Sequence, residues 1–183
     1  MEDLEIIELY WRRSERAIAE SDAKYGAYCK KIAENILGNS EDAAECVNDT
    51  WFRTWNAIPP ERPESLKMFL AKIVRNLAVD KARKNSAQKR GGGELEAILE
   101  EFSGCVPDVR EQFEARELQE SINRFVRTLP RRDGDLLIRR YFFAERLDDM
   151  AARYNMTPNA VSVSLSRTRK KLAAYLKKEG FYG

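Results

Sequence analysis

The chain has 183 residues, 43% hydrophobic and 34% charged, with a formal net charge of +2. That is enough for one large domain or two small ones with real cores, and a near-neutral total by itself says nothing about nucleic acid. There is no histidine, and the three cysteines (Cys29, Cys46, Cys105) are far apart with no CxxC pair; this argues against a Cys/His zinc site and against His-based acid–base catalysis.

The charge is unevenly placed. Acidic residues crowd the start (Glu2, Asp3, Glu5, Glu8) and the stretch 94–101, whereas basic residues collect over 67–90 and 167–178. Two basic segments are thus separated by an acidic one. The acidic N-terminus lacks a basic segment followed by an apolar run, and no apolar run approaches a membrane span. The expected setting is cytoplasmic.

Helical periodicity dominates and no alternating strand pattern stands out, so the expected class is all-α. Leu4, Ile7, Leu9 and Trp11 predict a short first helix. A second is expected over 14–37, with Ala17, Ile18, Tyr25, Tyr28, Ile32 and Ile36 as apolar positions. In "GNSEDA" (38–43), Gly38 suits a left-handed helix end, Asn39 or Ser40 can cap the next helix, and Glu41 and Asp42 favour its positive start. The third helix runs to about 56, with Ala43, Val47, Trp51 and Trp55 on one face.

"IPPERPES" (58–65) cannot be helix interior, because its prolines remove donors and clash; it reads as a rigid loop. A fourth helix is expected over 65–85, with Leu66, Phe69, Ile73, Leu77 and Val79 inward or partly so. The segment 86–112 reads as a linker, marked by Gly91, Gly92, Gly93 and Pro107, with a short amphipathic piece at Leu95, Ile98, Leu99 and Phe102. The glycine run lacks phosphate-loop spacing. Cys29 and Cys46 fall on helical patterns and read as reduced core residues, and Cys105, in the polar connector, as an exposed one.

Beyond it, helices are expected at 113–128, 132–143, 147–154 and 158–178, with Pro130 and Pro158 where helix starts tolerate proline. The last two have the ingredients of a helix-turn-helix: Ala151 as the small crossing residue, Asn155 in the turn, Thr157 as cap with Pro158 after it, and Met150, Tyr154, Met156, Val161 and Leu165 as shared core. The second helix would carry Asn159, Ser162, Ser164 and Ser166 to base edges, with Arg167, Arg169, Lys170 and Lys171 available to phosphates. Serine and asparagine discriminate bases less sharply than a bidentate arginine–guanine pair. The module is therefore expected to bind modestly and to need help from elsewhere.

Two stretches carry a resemblance. "EDAAECVNDTWFRTWNAI" (41–58), followed after the loop by "SLKMFLAKIVRNLAVDKARK" (65–84), resembles region 2 of the extracytoplasmic-function (ECF) sigma factors of bacterial RNA polymerase. "LPRRDGDLLIRRYFFAERLDDMAARYNMTPNAVSVSLSRTRKKLAAYL" (129–176) resembles their region 4. The resemblance implies a region 2-like domain over 1–87, a linker over 88–112 and a region 4-like domain over 113–183. It implies a sigma factor of the sigma-70 family, not an enzyme and without cofactor, that binds core polymerase and directs initiation at promoters.

By the same resemblance, the helix over 41–56 docks on the β′ clamp helices through Asp42, Glu45, Asn48, Asp49 and Arg53, and the C-terminal domain meets the β flap. The loop 58–65 and the helix after it read the −10 element and capture a flipped base, with Lys67, Lys72, Arg75, Asn76 and Arg83 as strand contacts. The −35 element falls to Thr157, Asn159, Ser162, Ser164, Ser166, Arg167, Arg169, Lys170 and Lys171. An anti-sigma factor is a further partner the resemblance implies. Ser162 and Ser164 stand where many relatives carry basic residues, Asn155 where glycine is common, and Asn48 where glutamine is frequent. Three rival readings are a polymerase-independent helix-turn-helix regulator, a nucleic-acid enzyme, and a sigma-like adaptor without DNA readout. The regulator needs a dimer seam, and none is visible. The enzyme needs metal-binding carboxylates or a nucleophile in a pocket, whereas the adjacent Asp148 and Asp149 read as the acidic start of a helix.

Overall fold

The helix breaks fall where backbone chemistry puts them. The computed structural model describes residues 1–88, 94–107 and 112–182, all of it helix and connecting turn. Its helices are α1 Asp3–Trp11, α2 Arg16–Leu37, α3 Ser40–Ala57, α4 Leu66–Gln88, α5 Glu94–Ser103, α6 Gln112–Thr128, α7 Arg131–Tyr141, α8 Leu147–Tyr154 and α9 Pro158–Lys178. The chain divides into two units, Met1–Gly91 and Gly92–Gly183. The glycine run 91–93 lies outside the described residues.

In the first unit α2, α3 and α4 pack on one another and α1 lies on α2. Gly38 ends α2 at φ 74°, in the left-handed region that costs glycine nothing. Asn39 caps α3, its side chain accepting from the Asp42 amide at 2.8 Å. The core is built from Ile6, Ile7, Tyr10, Cys29, Ile32, Cys46, Leu66, Leu70 and Val74, all buried. Its polar members are partnered: Tyr10 and Ser21 share a hydrogen bond of 2.9 Å, and Thr50 and Thr54 donate back to the Cys46 and Thr50 carbonyls.

Packing fixes which faces of α1 and α4 are deepest. In α1 the buried residues are Ile6, Ile7 and Tyr10, while Leu4 and Trp11 are exposed. Leu4 and Trp11 do share a face, being seven apart, but that face is left exposed. In α4 the deepest stripe is Leu66, Leu70, Ala71, Val74 and Ala78, and Phe69, Ile73 and Leu77 flank it half-buried.

In the second unit α9 packs against α6, α7 and α8, and α5 packs on α7. Buried Leu118, Phe125, Leu136, Leu137, Met150, Val161, Leu165, Leu172 and Leu176 form its centre. The stretch read as a connector is therefore partly built structure: Ile98 of α5 is buried, and Phe102 stacks on Tyr141 with ring centroids 5.1 Å apart. Cys105, expected to be exposed, is buried beyond the end of α5. The amphipathic spacing of Leu95, Ile98, Leu99 and Phe102 gave α5 a face to bury, and α7 covers it. Among the described residues no helix is long and apolar enough to cross a membrane.

Candidate functional site

In the first unit, α3 turns a broad polar face outward. Asn48, Asp49 and Arg53 are exposed on it. Asp42 and Glu45 lie on the same face but are not simply presented to solvent. Lys81 of α4 bridges them, at 3.0 Å from Asp42 and 2.6 Å from Glu45. The Asp42 carboxyl is held below the usual range by the Asn39 side chain and then by Lys81. At the middle of this face stands Phe52, 69% exposed. Sequence reading passed over it, although it falls one residue off the inward stripe of Val47, Trp51 and Trp55. Beside Phe52 a groove of 790 Å³ runs between α2 and α3, edged by Glu15, Asp22 and Asn48 and floored by Ile18, Trp51 and Trp55.

The loop over 58–65 is held from α1 and the turn after it. Arg13 donates to the Ile58 carbonyl at 3.5 Å and, at the end of α3, to the Trp55 carbonyl at 2.6 Å, with its guanidinium 5.2 Å from the Trp55 ring centroid. Arg62 pairs with Glu8 and lies over the Trp11 ring. The Ile58–Pro59 and Pro59–Pro60 peptide bonds are cis. From this loop α4 leads away with Lys72, Asn76 and Arg83 exposed at i, i+4 and i+11, opposite the buried stripe. Arg75 is only half-exposed, and burial followed by the charge of Arg83 lowers its guanidinium from the usual range. Lys67 sits elsewhere, with its ammonium 4.8 Å from the centroid of the Tyr28 ring.

In the second unit α8 and α9 are joined by a short turn. Asn155 takes φ 52°, ψ 47°, the left-handed conformation that asparagine tolerates better than most residues. Thr157 then caps α9, accepting from the Ala160 amide at 3.1 Å, and Pro158 opens the helix. Ala151, Met150, Val161 and Leu165 are buried at the crossing; Tyr154 and Met156 are half-buried. Behind the turn lies Glu145, 3% exposed, bonded to Arg139 and Arg153 at 3.1 Å each, while Arg140 donates to its carbonyl.

The outer side of α9 divides the expected contacts. Asn159, Ser162, Arg167, Lys170 and Lys171 are exposed, and Ser166 half so. Three residues are otherwise engaged. The Thr157 hydroxyl serves the cap. Ser164 donates to Asp133 at 3.3 Å. Arg169 donates to Glu101 at 3.2 Å and to the Tyr141 hydroxyl, with its guanidinium over the Tyr141 ring. Arg169 thus faces the body of the unit. Arg132, which sequence reading did not single out, joins Arg167 and Lys171 around a groove of 420 Å³ floored by Ser164.

The thiols are chemically quiet. Burial pushes Cys29 up to about 12 and Cys46 up to about 11, and raises Cys105 as well. A raised pKa keeps each thiol protonated and unreactive near neutrality. All three are expected to resist a thiol-specific disulfide reagent at about pH 8 and to react together once the chain is unfolded. A fast thiol in the native protein would contradict the burial described.

Comparison with known families places this geometry. Residues 23–88 match the family model for Sigma-70 region 2. The matched span holds most of α2, all of α3, the loop 58–65 and α4. Over that span the first unit is similar to sigma-70 region 2. No curated protein gives a significant match to the chain.

Proposed function

We propose that the chain is an ECF-type sigma factor, a non-enzymatic initiation factor that carries core RNA polymerase to promoters through both units. The observation that carries this reading is the region 2 match, because it spans the exposed face of α3, the braced loop and the outer face of α4 together. In this reading Asn48, Asp49, Arg53 and Phe52 meet the β′ clamp helices, with Asp42 and Glu45 contributing through the Lys81 bridge. Loop 58–65 receives an unstacked base of the −10 element, which requires a preshaped backbone, and the Arg13 and Arg62 contacts supply that shape. Lys72, Asn76 and Arg83 then follow the strand phosphates.

The second unit takes the −35 element as duplex, with α9 as the helix entering the major groove and α8 crossing the backbone. The division into a region 2-like part over 1–87, a connector and a region 4-like part over 113–183 belongs to the same proposal, with the β flap as the second unit's polymerase contact. An anti-sigma factor would act by covering the α3 face.

The test is reconstituted transcription. The purified chain is mixed with bacterial core polymerase and a library of promoter-like DNA, and transcript 5′ ends are sequenced. Starts that share upstream elements at two fixed spacings are expected. Absence of starts, with salt-sensitive binding of the chain alone to a palindromic duplex, would identify a polymerase-independent regulator instead. Binding to core polymerase without promoter-directed starts would identify a sigma-like adaptor.

A further inference from the structure

The first two turns of α9, residues 158–166, contain no lysine or arginine. The exposed cations Arg167, Lys170 and Lys171 begin eight residues beyond Asn159, about 12 Å along the helix axis. If the N-terminal part of such a helix meets base edges, the cations fall at the backbone. The part facing bases therefore has no bidentate partner for guanine, the commonest specific contact in the major groove. It presents a different pair. Asn159 is exposed, and one turn on, on the same face, stands Val163, 40% exposed. Ser162 and Ser166 flank them.

An exposed valine on a soluble surface is ordinary. Its neighbours on the first turns of α9 are small and polar, Arg132 and Arg167 stand beside it in the 420 Å³ groove, and it lies on the side away from the buried Val161, Leu165 and Leu172. The two side chains match two features of an A·T pair. The asparagine amide can bond adenine at N6 and N7 together, and an apolar branch can pack on the thymine 5-methyl. One helical turn is about 5.4 Å, so the two residues face base pairs one or two steps apart.

We infer that Asn159 and Val163 are specificity-determining residues that select A·T pairs in the upstream promoter element, through adenine hydrogen bonding and thymine-methyl contact respectively. The inference rests on the sigma-factor reading, and adds which bases the second unit prefers. Ser162 and Ser166 accept several bases, so selection is concentrated on two or three adjacent pairs.

The experiment uses the full chain with core polymerase and promoters that keep one −10 element and randomise the −35 region. A·T pairs are expected to be enriched at adjacent positions. At the enriched thymines, uracil is then substituted, which removes only the 5-methyl. Transcription by the wild-type holoenzyme should fall about fourfold, the equivalent of one buried methyl group. Val163→Ser should transcribe thymine and uracil templates equally, and Asn159→Ala should flatten selection at the paired adenine. Guanine enrichment at these positions, or indifference of the wild-type holoenzyme to uracil, would overturn the inference and leave the sigma reading standing. No promoter-dependent transcripts from any library member would overturn both.

Discussion

Replacing Glu145 with alanine is expected to destabilise the second unit by about 2 kcal/mol. The carboxylate is buried in the turn between α7 and α8, yet it answers two arginines, Arg139 at one oxygen and Arg153 at the other. Removing a carboxylate from a fully buried ion pair costs about 3–5 kcal/mol, because the partner charge is left without compensation. Here Arg139 and Arg153 keep 33% and 48% of their side chains exposed, so solvent recovers part of the loss. Arg139 also bonds the Tyr154 hydroxyl at 3.1 Å, a contact that survives the substitution. Glu145→Gln retains the shape and one acceptor and should lose about half as much. The measurement is unfolding in denaturant followed by two signals. Trp11, Trp51 and Trp55 all lie in the first unit, so indole fluorescence reports only that unit. Circular dichroism reports both. The variant should move the dichroism transition of the second unit and leave the fluorescence transition in place. A fluorescence shift of the same size would show that the substitution acts beyond its own unit.

Replacing Phe52 with alanine is expected to weaken binding to core polymerase at least about tenfold. A protruding aromatic at the centre of a polar face has the make-up of an interface anchor: large apolar area, few rotatable bonds, and a rim of Asn48, Asp49 and Arg53 to exclude water. With 69% of the residue exposed, its truncation removes little folded-state packing, so stability should change by less than about 0.5 kcal/mol. The pairing of the two results separates a contact role from a structural one. Competition against a labelled sigma factor for core polymerase measures the first, and the fluorescence transition measures the second. Asp49→Ala, at the rim of the same face, should weaken binding by a smaller factor that shrinks as salt rises. If Phe52→Ala binds core polymerase as the wild type does, the α3 face is not the docking surface and the polymerase contact must be sought elsewhere on the unit.

The sequence alone determined several of the helix ends. Gly38, Asn39, Pro130, Asn155, Thr157 and Pro158 act on their own backbone within a few residues, so their effects can be read without knowing what lies across the fold. It also located the two basic segments and the pair of helices joined at Asn155, and its motifs pointed to the region that matches the sigma-70 model. Which members of each polar face are free was decided only by tertiary structure. Arg169 looks in sequence like Arg167, yet it meets Glu101, 68 residues away, and turns inward. Ser164 is drawn to Asp133 of α7, and Asp42 and Glu45 to Lys81 of α4. Glu145 sits in a turn where a solvated carboxylate is the default expectation, and burial between two arginines makes it a structural centre. Phe52 shows the same limit from the other side, since only the packing of Trp51 against the core leaves its neighbour pointing out. Caps and turns depend on local backbone geometry, whereas capture of a charge or exposure of an aromatic depends on residues that folding brings in from distant parts of the chain.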